Sequence, residues 1–176
     1  QEDIETSPNP HSSYQIEDLA LRQSKTFYQG EKGDEVADYT YDYKVDASRG
    51  DEVSDRKSTS FFYYGTGVRA ALATTTDAMV TSKSYKGMTA TEDLALLQSK
   101  TFYQGEKGDE VADYTYNYKV DASRGDEVSD IKSTSFFYYG TDVRAPLATT
   151  TDAMVTRKSY QGMTANEDLA LLQRKR

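Results

Sequence analysis

Cysteine and tryptophan are absent from all 176 residues, histidine occurs once and proline three times. Without thiols there are no disulfides, thiolate metal sites, thiol nucleophiles or thioether-linked chromophores, and the redox compartment is left open. The single His11 sits in a polar stretch, so no repeat of the chain can assemble a nucleophile–histidine pair or a histidine-rich metal site. No apolar run approaches the roughly 18–20 residues that a membrane-spanning helix needs. No basic patch that could hold phosphates is visible before the last three residues, and the net charge of −8 points away from nucleic acid. The first residue is Gln1, which is compatible with a removed signal or transit segment and names no compartment.

Leu, Ile, Val and Phe together make up under a fifth of the chain, a range in which apolar burial struggles to offset ordering entropy. Against that scarcity stand 15 Tyr and 6 Phe. Tyrosine carries a large apolar ring and one polar tip, so it can be buried against a partner without stranding its hydroxyl.

The chain is repetitive. Glu17 to Thr91 aligns without gaps to Glu92 to Asn166, a period of 75 with eight differences, and Glu167 opens a third copy. The differences are Arg22/Leu97, Asp42/Asn117, Arg56/Ile131, Gly67/Asp142, Ala71/Pro146, Ser82/Arg157, Lys86/Gln161 and Thr91/Asn166; no Tyr or Phe is among them. The organisation expected is a polar leader (1–16), unit 1 (17–91), unit 2 (92–166) and a truncated third start with a basic tail (167–176). The two units carry nets of −2 and −4, both as mixed charge. Ser12-Ser13-Tyr14-Gln15 echoes Lys158-Ser159-Tyr160-Gln161, as if the leader held the eroded end of an earlier unit.

Thr89-Ala-Thr-Glu92 and Thr164-Ala-Asn-Glu167 match a capping box, which predicts a short helix starting near Glu92 and ending before Gly105. Tyr39, Tyr41, Tyr43 and Val45 alternate with polar residues, as do Tyr114, Tyr116, Tyr118 and Val120, which predicts a half-buried strand in each unit. Ser60 to Tyr64 and Ser135 to Tyr139 offer a second short strand or an aromatic clamp. The fold expected is therefore a largely irregular, extended α+β repeat. Each unit has one short capped helix and one or two Tyr-rich strands, a thin core ordered against a partner.

Asp34, Glu35, Asp38, Asp42, Asp46, Asp51, Glu52 and Asp55 crowd together, but their spacing fits neither a glycosidase pair nor a calcium loop, and Asp42 is Asn117 in the other unit. No phosphate loop, zinc spacing or nucleophile elbow occurs. The sequence thus calls for no cofactor, no metal and no catalytic residue. Arg49-Gly50-Asp51 and Arg124-Gly125-Asp126 spell the tripeptide that integrins read, which defines the alternative: an extracellular adhesive or matrix protein engaging an integrin-type receptor.

The leading expectation is a non-catalytic structural linker whose duplicated aromatic segments bind equivalent sites on a large protein assembly. The candidate anchors are Phe27, Tyr28, Tyr39, Tyr41, Tyr43, Phe61, Phe62, Tyr63 and Tyr64, with their mates Phe102, Tyr103, Tyr114, Tyr116, Tyr118, Phe136, Phe137, Tyr138 and Tyr139. In architecture this is similar to the linker proteins that organise Rubisco or phycobilisomes, which implies a light-harvesting or comparable assembly as the setting.

Overall fold

A computed structural model describes residues 22–45, 56–121, 126–127 and 130–164. Its architecture corrects the α+β expectation: the described residues form an all-β antiparallel sheet of ten strands. Unit 1 supplies β1 (Ser24–Gln29), β2 (Val36–Tyr43), β3 (Arg56–Tyr64), β4 (Val68–Arg69) and β5 (Met79–Lys86). Unit 2 supplies β6 (Leu97–Gln104), β7 (Val111–Tyr118), β8 (Ile131–Tyr139), β9 (Val143–Arg144) and β10 (Met154–Gln161). The order is β1-β2-β3-β5-β6-β7-β8-β10, with the short β4 and β9 paired to β3 and β8. Irregular structure does not dominate, and Ser60 to Tyr64 is the second half of a nine-residue strand.

The predicted helix after Glu92 shrinks to one 3-10 turn, Leu94–Leu96, and the chain then enters β6. Asp93 caps that turn by accepting from the Ala95 amide, while the Thr89 hydroxyl donates to the Thr91 carbonyl, outside any helix. The helix that the Thr89 capping box predicts does not form. It is overridden because Lys100-Thr-Phe-Tyr-Gln has aromatic and β-branched character, and because Leu97 gains a fully buried site once it is paired with Tyr85.

Pairing register explains how so few aliphatic residues suffice. Phe27, Tyr39 and Phe61 lie opposite one another on consecutive strands, as do Tyr41, Thr59 and Tyr85, which puts the rings on one face. Thr26, Thr40, Ser60, Ser84 and Ser99 run across the opposite face. The rings touch: Phe27 stacks on Tyr39 at 4.4 Å and Phe61 meets Tyr85 edge-on at 5.6 Å. On the other face, hydroxyls pair directly, Thr26 with Thr40 and Thr101 with Thr115, each at 2.8 Å.

Turn chemistry closes each hairpin. Gly30 and Gly105 hold φ of 114° and 122°, and a Cβ at Gly105 would sit 2.6 Å from the Asp109 carbonyl oxygen. Asp142 takes φ 69° where unit 1 has Gly67, a conformation Asp tolerates better than most residues.

The boundary between units, Thr91/Glu92, lies in the link from β5 to β6, and those two strands pair over Thr81 to Tyr85. The two units are thus one sheet. The core across this junction joins Phe61, Tyr63 and Tyr85 of unit 1 to Leu97 and Tyr118 of unit 2, with Leu94, Leu96 and Ile131 packed around them.

Candidate functional site

The candidate anchors separate by depth. Tyr43, Phe61, Tyr63, Tyr64 and, in unit 2, Tyr118, Phe136, Tyr138 and Tyr139 are buried, so their rings are spent on the fold. Phe27, Tyr39, Tyr41, Phe62, Phe102, Tyr103, Tyr114, Tyr116 and Phe137 are half-buried. Tyr28 is the one anchor with most of its surface open, 61% exposed. Its mate Tyr103 is less open because β5 runs alongside β6, where the Tyr103 and Ser82 hydroxyls are 3.1 Å apart.

Burial of the phenols shapes their chemistry. Desolvation pushes Tyr63 and Tyr85 far above the usual phenol range, with the nearby Glu92 carboxylate adding to the effect. Tyr64 is pushed up to about 12 by burial and by Glu110, although its hydroxyl donates to the Ala37 carbonyl at 2.6 Å. Such phenols stay neutral, which suits packing and hydrogen bonding and gives no nucleophile.

The clustered carboxylates are dispersed by the sheet. Asp38 receives Arg69 at 2.6 Å, and Asp113 receives Arg144 at 2.7 Å in the mate position. Each guanidinium also lies over a core ring, Arg69 over Phe61 at 4.4 Å and Arg144 over Phe136 at 4.3 Å. Asp42 accepts from Ser58, and Glu35 accepts from the Gly33 amide. Asp46, Asp51, Glu52, Asp55, His11, Arg49-Gly50-Asp51 and Arg124-Gly125 lie outside the described residues; Asp126 is exposed. Among the described residues no three His, Cys, Asp or Glu converge as metal ligands.

A charge cluster that the sequence reading missed bridges the two units. Lys83 of β5 and Lys100 of β6 are directly opposite, a repulsive pairing in isolation. Glu127 bridges them at 2.8 and 2.7 Å, and Glu92 reaches Lys83 at 3.1 Å. Partial burial opposes ionisation of Glu92 and Glu127, yet the adjoining donors outweigh it and hold both carboxyls below their ordinary value. Lys83 is likewise held above its ordinary value by its two carboxylates despite desolvation. These four residues are far apart in sequence, and no spacing rule predicts a set that strand register assembles.

Each unit also has a shallow cleft between its first hairpin turn and the 3-10 turn that follows β4 or β9. Gln29, Gly30, Asp34, Ala70 and Thr74 line the first; Gln104, Gly105, Asp109, Ala145 and Thr149 line the second. Each cleft is lined by two carboxylates, Glu31 and Asp34 in the first and Glu106 and Asp109 in the second, with no Lys, Arg, His or Cys beside them. Comparison with protein families, curated proteins and solved structures finds no match to this chain.

Proposed function

We propose that the protein is a non-catalytic structural scaffold that presents one protein-binding surface twice. The observation that carries this reading is the fusion of the two units into one sheet through β5 and β6. Equivalent strands β1 and β6 are four strand positions apart, which sets like surfaces roughly 19 Å from one another at the usual strand spacing. A partner with two equivalent sites at that spacing gains avidity from the second contact with no new chemistry.

The surfaces offered lie around Tyr28 and its mate Tyr103, on the face that carries Thr26, Thr101 and Ser82 and opposite Phe27 and Phe102. Tyrosine serves such contacts through area, few rotors and a hydrogen-bonding tip. The mixed charge around the rings sets register on the partner.

The test is quantitative capture of partner from the source extract on immobilised wild type, Tyr28→Ser, Tyr103→Ser and the double variant. Each single variant should retain the same partner with affinity lowered by roughly a hundredfold, and the double variant should lose it. A partner that the double variant retains as well as wild type does would overturn the reading.

A further inference from the structure

Position 81 interrupts the aromatic face in the middle of the sheet. Tyr63, Thr81 and Phe102 lie opposite one another on β3, β5 and β6, with Phe61, Lys83 and Lys100 in the neighbouring row. β3 and β6 are two strand spacings apart, roughly 10 Å. The short Thr81 side chain does not fill the gap between the two rings, and a cleft of about 190 Å³ remains, lined by Tyr63, Gly67, Thr81, Lys83, Lys100 and Phe102. Neither unit builds it alone: Tyr63, Gly67, Thr81 and Lys83 come from unit 1, Lys100 and Phe102 from unit 2.

The rim of the cleft depends on one of the differences between the units. Gly67 has φ 91°, and a Cβ there would meet nothing within 4 Å. Unit 2 places Asp142 at the same turn, with its carboxylate 3.7 Å from Lys158, the mate of Lys83. Unit 1 thus leaves open the space that unit 2 gives to a carboxylate. Inside, the walls and the end differ in chemistry. Tyr63 and Phe102 present ring carbon, and the Lys83 and Lys100 ammoniums stand 5.2 and 5.1 Å from the centres of those rings. Lys83 gives one N–H to Glu127 and one to Glu92, and Lys100 gives one to Glu127, so each ammonium keeps donor capacity. The Thr81 hydroxyl has no hydrogen-bond partner among the described residues. Two carboxylates already balance the two ammoniums, so an anion would gain little net attraction and would compete with Glu127. A neutral ligand with apolar faces and a rim of hydroxyls meets both the rings and the charges.

We propose that this junction cleft binds a single pyranose ring of a neutral sugar. Its C–H faces lie against Phe102 and Tyr63, and its hydroxyls bond to Lys83, Lys100, Glu127 and the Thr81 hydroxyl. The volume falls below the roughly 300–1,000 Å³ of pockets for drug-sized ligands, which limits the occupant to one ring. A ligand of that size binds with a dissociation constant on the order of 1 mM. The cleft is on the aromatic face, whereas Tyr28 and Tyr103 are on the other, so this inference is independent of the proposed docking surface.

Saturation-transfer NMR on the full chain with D-glucose, D-galactose, D-mannose and L-fucose tests it, with affinity read by titrating backbone amide shifts. At least one of these sugars should saturate and move the amides of Tyr63, Thr81, Lys83, Lys100 and Phe102, with little dependence on salt. The methyl glycoside of that sugar separates two sources: binding as tight as the free sugar's marks the end of a glycan, and weaker binding marks a free monosaccharide. Gly67→Asp copies the residue that unit 2 folds with at the same turn, and it should weaken binding about tenfold or more. Thr81→Leu, which fills the floor, should do the same, while Ser84→Ala on the opposite face should bind as wild type does. No saturable signal from any of the four sugars would overturn the proposal. So would a Gly67→Asp chain that binds as tightly as wild type, or a preference for acetate or inorganic phosphate with steep salt dependence.

Discussion

Truncating Leu97 to Ala tests whether the units share one core. The side chain is fully buried between Phe61, Tyr63 and Tyr85 of unit 1 and Tyr118 of unit 2, so the site is walled by both units. Removing a buried leucine costs the transfer term plus a cavity term, about 3 kcal/mol here within the usual range of roughly 2–5. For a chain of this size that lowers Tm by about 6–12 °C. Location matters as much as magnitude. In a repeat array a lesion at an interface weakens the coupling between neighbours, so unfolding of Leu97→Ala should broaden or split into two steps while wild type melts in one. Leu94, half-buried at the periphery of the same cluster, is the internal control, and Leu94→Ala should cost about 1 kcal/mol with no loss of cooperativity. Urea titration followed by tyrosine fluorescence and by far-ultraviolet dichroism reads both quantities. A loss below about 1 kcal/mol for Leu97→Ala, or two steps already in wild type, would refute a core shared across the unit boundary.

Four further outcomes follow from the geometry. Glu127→Gln should cost about 1 kcal/mol, because it leaves Lys83 and Lys100 opposed, and Lys83→Met in the same chain should return most of the loss; a double-mutant cycle in urea measures it. With folded pKa values of Glu92 and Glu127 lying below the ordinary 4.5, their contribution is complete above that value and is lost as pH falls through the folded values, so acid unfolding of Glu127→Gln should be shallower than that of wild type. The phenols of Tyr63, Tyr64 and Tyr85 have folded pKa values above the ordinary 10.0, so stability should be undiminished up to about pH 10 and fall as pH rises beyond it, with tyrosinate absorbance appearing together with unfolding. Gly105→Ala should cost about 1–3 kcal/mol, since a Cβ there meets the Asp109 backbone, and more than Gly108→Ala, where nothing lies within 4 Å; thermal melts of the pair decide it.

The period-two run Tyr39-Thr-Tyr-Asp-Tyr43 was legible as a strand because alternation is a property of consecutive residues, and it is β2. The expected helix after Glu92 failed for the opposite reason. Its capping box, Thr89 to Glu92, caps no helix, and Asp93 caps only a 3-10 turn; whether Leu97 continues a helix or starts a strand depends on Tyr85 waiting opposite it, which no local window contains. The depth of the aromatic segments was likewise hidden: Phe61 and Phe62 look alike in sequence, and only the face each one takes separates a buried ring from a half-buried one.

By itself, the sequence determined the duplication, the dependence on tyrosine in place of aliphatic residues, and the absence of any thiol or histidine chemistry within the repeat, because these are matters of composition and spacing. Tertiary structure alone decided that the two units share one sheet, that Phe27, Tyr39, Phe61 and Tyr85 share one face with Thr26, Thr40, Ser60 and Ser84 on the other, and that Lys83, Glu92, Lys100 and Glu127 meet. The physical reason is register. Antiparallel pairing joins residues distant in the chain, and its energy comes from cross-strand contacts that exist only once the strands have met.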